Sequence, residues 1–596
     1  MRPVTVALCQ FRPAKGRRAD NLDRLEAVFR SVAAAPEPPD VLILPEAILT
    51  GYFLEGGVRE HARSAGELFD ELVERHARAG APPIEICLGF YEIWDERLHN
   101  AALWAALGGD DAGVRHVHRK VFLPTYGVFD EERFVEAGRD VRAFDARCGR
   151  VAMLVCEDAW HSLMGTIAAV DGAQLLAVVS ASPARGLAPD PLHPGQPGSL
   201  ARWERLAREM AGEHGTFVAM SQLVGFEGGK GFPGGSLLVG PDGDVLVRAP
   251  LFEDAVVQHT INLDEIVRQR SLSPLLADLE LRLPHLIESL ERARGCAAMP
   301  EGEPLPDPAA PARQRPPASR LPAPTPQLAI DPQLTRRWLV EFLRDEVIRR
   351  RGFARAIVGV SGGVDSAVVA WLAAEALGPE NVIGVRMPYR TSSPESLAHG
   401  RLVTESLGIV ERTVDISAAV DGYASAAGEQ PSPARLGNVM ARVRMITLFD
   451  LSAALGALPI GTGNKSERLL GYFTWHADDS PPVNPIGDLF KTQVWELARH
   501  LGVPEAIVAK PASADLIADQ TDEADFGITY ARADAILDLI LHGHDERAIL
   551  SAGFTAEELA LVRGRLDATH WKRRLPSVAM LSATAIGDYY LRPVDY

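Results

Sequence analysis

The chain has 596 residues, of which 47% are hydrophobic and 23% are charged, so wholesale disorder is excluded. At roughly 100–200 residues per domain, this length predicts two to four domains. The 61 basic and 79 acidic residues give a net charge of −18, and a negative surface repels phosphate backbones and anionic lipids. We therefore expect small-molecule substrates as partners, rather than nucleic acid or a membrane.

The first residues and the cysteines indicate where the protein works. The first eight residues have the pattern of a strand and not that of a secretory signal, and no apolar run reaches the ~18 residues of a membrane helix. Five scattered cysteines are too few for a disulfide scaffold. We expect a cytoplasmic protein.

A proline-rich stretch divides the chain. Ten of the 27 residues from Pro300 to Pro326 are proline, which excludes a helix or a central strand there and predicts an extended, semi-rigid linker. We therefore predict domains over residues 1–275 and 333–596, joined by a connecting segment over 276–332.

The N-terminal half alternates short apolar runs with helical periodicity, which is typical of a mixed α/β domain. A glycine-rich turn over 234–243 followed by an apolar run predicts a hairpin. The pattern predicts strands over 4–8, 41–44, 84–89, 151–155, 175–179 and 217–222, and helices over 21–34 and 203–213.

Three polar residues of the N-terminal half, Glu46, Lys120 and Cys156, each follow directly on a predicted strand. A thiol at a strand exit is held rigidly toward a pocket, which favours a nucleophile. A carboxylate can serve as its base, and a lysine can stabilise a thiolate or an oxyanion. Each residue taken alone would more often be structural, as a buried cysteine or a solvated loop charge.

These residues belong to three motifs whose order and spacing resemble the nitrilase, or carbon–nitrogen hydrolase, superfamily over residues 2–270. The resemblance implies an αββα sandwich that hydrolyses amides through a thioester. Glu46 would be the general base, Lys120 would stabilise the oxyanion and Cys156 would be the nucleophile. Glu131 would be an additional catalytic carboxylate, with Glu132 as the alternative. The motifs are Leu44-Pro-Glu46 with Thr50-Gly-Tyr52, Arg119-Lys-x-x-Leu-Pro124 with Phe129-Asp-Glu131, and Cys156-Glu-Asp158.

The same resemblance makes glutamine the expected amide. It implies glutamine contacts at Tyr52, Tyr126, Ser182 and Arg185. Members that use glutamine usually carry a lysine about six residues after that serine, whereas this chain has Ala188 there and Arg185 as the nearby cation.

The C-terminal half begins with a βαβ pattern around a glycine-rich loop. This order predicts a parallel sheet with a ligand at its edge. The loop, Ser361-Gly-Gly-Val-Asp-Ser366, offers backbone N–H groups and a helix N-terminus to phosphate, and Asp365 could hold magnesium. It lacks the lysine of a Walker loop, so transfer of a γ-phosphate is not expected. The predicted elements are a helix over 333–350, a strand over 356–360, a helix over 366–377 and a strand over 382–387.

The loop looks like that of the ATP pyrophosphatase (PP-loop) enzymes, and the motifs after it resemble the NAD⁺ synthetase family over residues 333–576. The resemblance implies a doubly wound parallel sheet, ATP as a substrate and Mg²⁺, held by Asp365 and Glu467. Deamido-NAD⁺ would be bound by Asn438, Arg442, Glu467 and Lys572. ATP would be contacted by Ser361, Gly362, Gly363, Val364, Asp365, Ser366, Arg386, Thr462, Lys491 and Ser513. The motifs span 437–445, 461–467, 471–474, 484–493, 511–516 and 520–523.

Together the two resemblances imply a ligase that makes NAD⁺ from deamido-NAD⁺, ATP and the ammonia of glutamine, in a protein expected to form homo-oligomers. The alternative is glutamine-dependent amidation of a different adenylated acid, because residues 475–482 replace a Gly-Asp-Gly type segment of the family. Asp478 or Asp479 would take over the role of that segment's acid. Two further alternatives are an enzyme that accepts only free ammonia and a nucleotide sensor without catalysis.

Overall fold

The computed structural model of the chain describes residues 3–54, 57–294, 323–427, 431–513 and 521–574. Its internal contacts divide these residues into two units, one of 3–185 with 199–294 and another of 186–198 with 323–574. Most of the predicted proline-rich linker, over 300–322, and Cys296 lie outside the described residues.

The first unit contains two six-stranded sheets and a two-stranded ribbon. Its strands are β1 Val4–Gln10, β2 Val41–Ile43, β3 Ile84–Trp94, β4 Arg97–Leu107, β5 Gly113–Arg119, β6 Ala143–Ala146, β7 Gly149–Val155, β8 Leu175–Ser180, β9 Phe217–Gln222, β10 Val224–Glu227, β11 Lys230–Pro233, β12 Leu237–Val239, β13 Val245–Arg248 and β14 Ala255–Ile261. The first sheet has the order β14-β1-β2-β3-β4-β5, the second has the order β13-β12-β9-β8-β7-β6, and β10 pairs with β11. Strands β1, β2 and β3 run parallel, as do β7, β8 and β9, so each group ends at one edge of its sheet.

Alternation along the strands builds the layers of this unit. In β1, Val6 and Leu8 join the core that also contains Met153 of β7, while Cys9 joins a second core with Phe29. Successive strand side chains point to opposite faces, so a strand buried on both faces needs a continuous apolar run. The result is the predicted αββα sandwich. Its helices are α1 Arg18–Ala33, α2 Val58–His61, α3 Ala65–Ala79, α4 Ser162–Val170, α5 Gly198–His214, α6 Asp264–Leu272 and α7 Leu275–Ala293.

The second unit is built around a four-stranded parallel sheet. Its strands are β15 Arg355–Gly359, β16 Val382–Arg386, β17 Val410–Thr413 and β18 Ala457–Ile460, in the order β17-β16-β15-β18. The order reverses between β15 and β18, which is the doubly wound arrangement that the sequence predicts, and ligands bind at the carboxyl edge of such a reversal. The helices are α8 Pro332–Leu343, α9 Val364–Leu377, α10 Pro394–Leu407, α11 Ser417–Ala426, α12 Pro433–Leu455, α13 Lys465–Leu470, α14 Lys491–Leu501, α15 Glu505–Val508, α16 Asp522–Phe526, α17 Tyr530–Leu541, α18 Glu546–Ser551 and α19 Ala556–Ala568.

The helix predicted over 333–350 differs from the one observed. The α-helical part ends at Leu343, and a π-helical segment continues over Arg344–Arg350. Asp345 and Glu346 are both buried in this segment, where each carboxylate forms an ion pair with Arg350. Periodicity predicted the length of the segment but not its change of helix type, because a helical spacing of apolar residues does not distinguish i→i+5 from i→i+4 hydrogen bonds. Among the described residues, no helix is both long enough and apolar enough to span a membrane.

Candidate active sites

Strand exits of the first unit meet at a buried cluster of charges. Lys120 directly follows β5, Glu46 lies three residues beyond β2, and Glu131 opens a short 3₁₀ turn. The ammonium Nζ of Lys120 lies 3.0 Å from Glu46 Oε1 and 2.9 Å from Glu131 Oε2. Lys120 and Glu46 are fully buried and Glu131 is 8% exposed, whereas Glu132 is exposed to solvent. Of the two carboxylates that the sequence left open, Glu131 is therefore the one that contacts the lysine.

Burial and the neighbouring charges act in opposite directions on the pKa of Lys120 and on that of Glu131. Burial acts to lower the pKa of Lys120, but the charges of Glu131 and Glu46 outweigh it and hold that pKa well above its usual value. Burial raises the pKa of Glu131, and the charge of Lys120 opposes this rise. The lysine is thus a fixed positive charge beside the site.

Two further groups orient the Glu46 carboxylate. Asn100 Nδ2 donates hydrogen bonds to Glu46 Oε1 at 2.7 Å and to Glu131 Oε1 at 2.9 Å. The backbone N–H of Ala181, just beyond β8, donates to Glu46 Oε2 at 2.8 Å. Both carboxylate oxygens of Glu46 are therefore fixed, as a positioned base requires.

Cys156 follows β7 at the start of a 3₁₀ turn and takes a φ of +45°. This left-handed conformation is strained for a residue with a Cβ, and such strain clusters at functional turns. The thiol is 7% exposed, and Ser180 Oγ donates to its Sγ at 3.4 Å. Burial and the charge of Glu46 raise the pKa of Cys156, which the charge of Lys120 opposes. The resting thiol is therefore protonated and depends on a base.

The residues predicted to contact glutamine divide into an outer and an inner group. Tyr126 and Arg185 are exposed, and both lie beside the Phe129 ring. The ring centroids of Tyr126 and Phe129 are 5.7 Å apart, and the guanidinium carbon of Arg185 lies 5.7 Å from the Phe129 centroid. The Tyr126 hydroxyl donates to Glu157 Oε2 at 2.9 Å. Arg185 and the Tyr126 ring, whose hydroxyl contacts Glu157, therefore lie beside one aromatic ring.

The inner group lies closer to the charged cluster. Tyr52 is buried, with its ring 5.6 Å from Lys120 Nζ. The Ser182 hydroxyl accepts a hydrogen bond of 2.6 Å from Trp203 Nε1. A hydroxyl that accepts from a tryptophan keeps its own proton available for a substrate oxygen.

In the second unit the predicted phosphate loop joins β15 to α9. Ser366 Oγ bridges the loop, since it accepts from Ser361 N at 3.2 Å and donates to Gly363 O at 3.0 Å. Gly362 has a φ of +80°, and a Cβ there would lie 2.3 Å from the carbonyl oxygen of Ser396. Only glycine fits this turn, which leaves the backbone open to a ligand.

A charged centre lies beside the loop. Lys491 Nζ forms an ion pair with Asp365 and lies 3.5 Å from Glu467 Oε1. Asn464 Nδ2 donates to Asp365 Oδ1 at 3.0 Å, while its Oδ1 accepts from Glu467 N at 2.9 Å. Burial and the charge of Asp365 raise the pKa of Glu467 to about 8, against the opposing charge of Lys491. Added positive charge would therefore stabilise the ionised carboxylates of Asp365 and Glu467.

Two other residues predicted to contact ATP, Arg386 and Thr462, lie at strand ends of this sheet, and Ser513 follows α15. Arg386 ends β16 and forms an ion pair with Glu411. Thr462 follows β18 and is half-buried, and Ser513 is exposed. Among the described residues, the hydrogen bonds and ion pairs of Arg386 do not reach Asp365, Glu467 or Lys491.

A second group of predicted residues gathers around 471–475. Arg442 Nη2 donates to the carbonyl oxygen of Trp475 at 3.3 Å, and Asn438 Oδ1 accepts from Thr474 Oγ1 at 3.0 Å. Lys572 Nζ donates to the carbonyl oxygens of residues 471 and 473, each at 2.9 Å. Asn438, Arg442 and Lys572 therefore all contact the segment 471–475, while Glu467 belongs to the charged centre.

The unusual segment over 475–482 folds onto its own backbone. Asp478 Oδ1 accepts from Thr474 N at 2.9 Å, and Asp479 Oδ1 accepts from Ala477 N at 3.1 Å. The Trp475 ring packs edge-on against Trp571, with 5.2 Å between centroids. Asp478 and Asp479 thus each stabilise the turn, and the aromatic pair lies beside the Arg442 group.

Comparisons with known proteins match each half of the chain. Residues 5–271 match the carbon–nitrogen hydrolase family, and residues 336–576 match the NAD synthase family. The NH(3)-dependent NAD(+) synthetase of Trichlorobacter lovleyi is 48% identical over 261 residues, which are 44% of this chain and 95% of that protein. The chain belongs to the NAD synthase family. A synthetase of the same name from Chlorobium phaeobacteroides is 49% identical over 253 residues, 42% of this chain and 90% of that protein.

Solved structures resemble the NAD synthase chain over nearly its whole length. The glutamine-dependent NAD+ synthetase of Acinetobacter baumannii, in complex with ADP, has a TM-score of 0.68 at 23% identity and covers 99% of this chain and 97% of its own. That of Cytophaga hutchinsonii has a TM-score of 0.65 at 15% identity, covering 96% and 93%. At these identities the likeness establishes the shared fold.

The sequence patterns missed residues that complete both centres of this NAD synthase chain. Asn100 lies in the middle of β4 and gives no local signal, because its amide acts only on residues brought in by the fold. Ala181 acts through its backbone N–H, a group that the residue type does not reveal. Asn464 lies inside the motif 461–467, three residues before Glu467, so the Asn-x-x-Glu capping pattern could have identified it.

Proposed function

We propose that the chain is a glutamine-hydrolysing NAD⁺ synthase. The observation that carries this proposal is a buried Glu46–Lys120–Cys156 centre in the same chain as an NAD synthase domain. The NH(3)-dependent relatives match only 41–44% of the chain. We assign the additional N-terminal unit to the supply of ammonia from glutamine.

The glutaminase step uses the first unit. Glu46 takes the thiol proton, and Cys156 Sγ attacks the amide carbon of glutamine while Lys120 stabilises the negative oxygen. The carbon–nitrogen bond breaks, ammonia leaves with the proton from Glu46, and a thioester remains. Water activated by Glu46 then releases glutamate and the free thiol. Glu131 keeps Lys120 in place during both steps.

Glutamine recognition is assigned to the residues at the mouth of the site. Arg185 suits the α-carboxylate, and the Tyr126–Glu157 pair suits the α-ammonium group. Ser182 and Tyr52 would contact the amide end. Arg185 replaces the lysine that the family usually carries, and its exposure leaves it free to swing onto a carboxylate.

The synthetase step uses the second unit. A carboxylate oxygen of deamido-NAD⁺ attacks the α-phosphorus of ATP, and pyrophosphate leaves. Ammonia then attacks the acyl carbon and AMP leaves, which gives NAD⁺. The backbone of the loop over 361–366 would cradle the phosphates, and Lys491 would offset their charge. Arg386, Thr462 and Ser513 would complete the ATP contacts.

Magnesium fits the residues of the charged centre. Asp365 and Glu467 offer hard oxygen ligands, and burial together with the charge of Asp365 raises the pKa of Glu467, so a bound cation would favour its ionised form. The described residues contain no group of three or more histidine, cysteine or acidic side chains for a metal. Mg²⁺ commonly uses one or two carboxylates with substrate phosphates, so two ligands suffice. When bound, it would neutralise charge on the pyrophosphate leaving group.

The dinucleotide is assigned to the group of Asn438, Arg442 and Lys572, with Glu467 at its border with ATP. Two cations there suit a pyrophosphate, and the Trp475 ring suits stacking with a base or a pyridine ring. We further propose that the enzyme is cytoplasmic, in keeping with its few, scattered cysteines. We also propose that it forms homo-oligomers, because most soluble oligomers are symmetric assemblies of one chain.

The test measures NAD⁺ formed from ATP, Mg²⁺ and deamido-NAD⁺ with either glutamine or ammonium. Wild type should use both nitrogen sources, and Cys156→Ala should use only ammonium. Cys9→Ala is the matched control, because it removes another buried strand thiol that lies outside the site. Activity of Cys156→Ala with glutamine would refute the thioester step.

The acceptor is tested separately by pyrophosphate release. Release that requires deamido-NAD⁺ and is absent with other pyridine carboxylates would support the assignment. Release with another acid and none with deamido-NAD⁺ would replace NAD⁺ synthesis by amidation of that acid.

A further inference from the structure

A buried aspartate joins the strand exits that carry the catalytic lysine and thiol. Asp158 lies two residues after Cys156 and is 0% exposed. Its Oδ2 accepts a hydrogen bond of 3.1 Å from the N–H of Val155, the residue before the thiol. The carboxylate therefore closes the turn on which Cys156 sits.

The other oxygen of Asp158 holds the chain that leaves Lys120. Asp158 Oδ1 accepts from the N–H groups of Val121 at 2.9 Å and Phe122 at 3.0 Å. These are the two residues that follow the lysine. One side chain thus fixes the backbone on both sides of the lysine–thiol pair.

A buried histidine supplies the fourth donor. His118 lies two residues before Lys120 in β5, is 2% exposed, and has its Nε2 2.8 Å from Asp158 Oδ2. A carboxylate only accepts hydrogen bonds, so Nε2 carries the proton. With four donors, the carboxylate of Asp158 has no lone pair left for a substrate and can act only through its neighbours.

The turn needs this support. Cys156 keeps its φ of +45° only if the surrounding structure enforces it, because a residue with a Cβ disfavours that conformation. The bond from Val155 N to Asp158 provides such a constraint. A change in this carboxylate should therefore move the thiol relative to the ammonium.

We propose that Asp158, oriented by His118, is a positioning residue that holds the Cys156 thiol in register with Lys120 for the attack on the amide. The proposal rests on the proposed glutamine hydrolysis at this centre. Its tests separate a failure of positioning from a failure of that function.

The first test is Asp158→Asn. Asparagine keeps the shape but retains one acceptor oxygen, so its amide would face N–H donors. We expect kcat for glutamine hydrolysis to fall on the order of 100-fold, because misplacement of the reacting groups has an effect of that size. KM should stay nearly unchanged. NAD⁺ synthesis from ammonium, performed by the second unit, should persist.

Glu85→Gln is the matched control. Glu85 is also 0% exposed, and both its oxygens accept from a backbone N–H, that of Arg147, at 3.1 Å. It lies at the start of β3, whereas the catalytic residues follow strand ends. The kcat of Glu85→Gln for glutamine hydrolysis should equal the wild-type value. An equal fall in Glu85→Gln and Asp158→Asn would show a general cost of buried substitutions and overturn the proposal.

The second test compares His118→Gln with His118→Leu, and it decides the matter if Asp158→Asn does not fold. Glutamine retains an N–H donor for Asp158, whereas leucine removes it. We expect kcat of His118→Leu to lie about tenfold below that of His118→Gln, the usual effect of one hydrogen bond to a charged group. Equal values in folded proteins would contradict the role of His118.

A third measurement does not depend on glutamine. Alkylation of Cys156 by iodoacetamide, followed on the peptide that contains this residue, should be slower in Asp158→Asn than in wild type. If wild type hydrolyses no glutamine, the proposed function fails while this comparison still decides the positioning. Wild-type kcat and wild-type alkylation in a folded Asp158→Asn would overturn it.

Discussion

At the scale of single residues, the first unit depends on a balance of buried charges. Lys120 lies between Glu46 and Glu131, and all three are nearly inaccessible to water. Burying one of these charges alone would cost several kcal/mol, so each ionised form requires the others. The same arrangement fixes Glu46, the proposed base.

Lys120→Met should destabilise the first unit as well as abolish glutamine use. Two carboxylates would remain buried without their cation, which costs about 3–5 kcal/mol in free energy of unfolding. Urea unfolding of the first unit would measure this. Adding Glu131→Gln to Lys120→Met should restore part of the loss, because it removes one of the two repelling charges.

Arg142→Met serves as the control for this experiment. Its ion pair with Asp140 is exposed, at 70% and 68% of the two side chains. Exposed pairs contribute less than about 1 kcal/mol. A loss in Lys120→Met no larger than in Arg142→Met would contradict the charge balance.

His116 predicts a dependence of stability on pH. Burial, followed by the charge of His118, lowers the pKa of His116 to about 4 from a usual value near 6.5. The unfolded chain therefore takes up a proton before the folded chain does, so stability present above pH 6.5 is lost as the pH falls toward 4. The loss should be less than about 3 kcal/mol, because one pKa unit corresponds to about 1.4 kcal/mol and solvent screens part of the shift of this half-buried ring.

His116→Gln should flatten this part of the stability curve, measured by urea unfolding between pH 7 and pH 4. His285→Gln, an exposed histidine of α7, should leave the curve unchanged. Identical curves for wild type and His116→Gln would show that His116 does not bind protons differently in the two states.

At the scale of elements, the first turns of two helices position the residues of the charged centre of the second unit. Ser466 and Thr492 lie in the first turns of α13 and α14, and their hydroxyls both donate to the buried Asp534 of α17. The neighbouring residues Glu467 and Lys491 therefore have a fixed relation to each other. One aspartate thus aligns two short segments that meet the phosphate loop.

The phosphate loop gives a prediction at the same scale. Gly362→Ala should lower ATP–pyrophosphate exchange on the order of 100-fold, because a Cβ would meet the Ser396 carbonyl and displace the loop. Gly408→Ala is the control, since Gly408 has a φ of +64° but nothing within 4 Å of its Cβ position. It should cost about 1–2 kcal/mol of stability and keep exchange intact. Equal exchange in both variants would refute the close fit at Gly362.

At the scale of the whole molecule, one chain combines two chemical steps. Ammonia at neutral pH is mostly protonated and unreactive. We therefore expect the ammonia released at Cys156 to react before it mixes with solvent. With glutamine and ¹⁵N-ammonium both supplied, the NAD⁺ nitrogen should come predominantly from glutamine. Cys156→Ala should incorporate only ¹⁵N. Equal incorporation of the two nitrogens by wild type would show that the ammonia equilibrates with solvent.

The sequence by itself determined the α/β class of both units, because strand and helix periodicity is a local property, and its contiguous motifs carried the resemblance that implied the αββα sandwich, the doubly wound sheet and the family. The same motifs selected Glu46, Lys120 and Cys156 as candidates, and their catalytic roles stay a prediction. Only the tertiary structure decided how these residues meet and what orients them. Asn100 reaches Glu46 across 54 residues and Ala181 reaches it across 135, while Asn464 reaches Asp365 across 99. Such hydrogen bonds leave no local pattern in the sequence, because their partners become neighbours only when the chain folds.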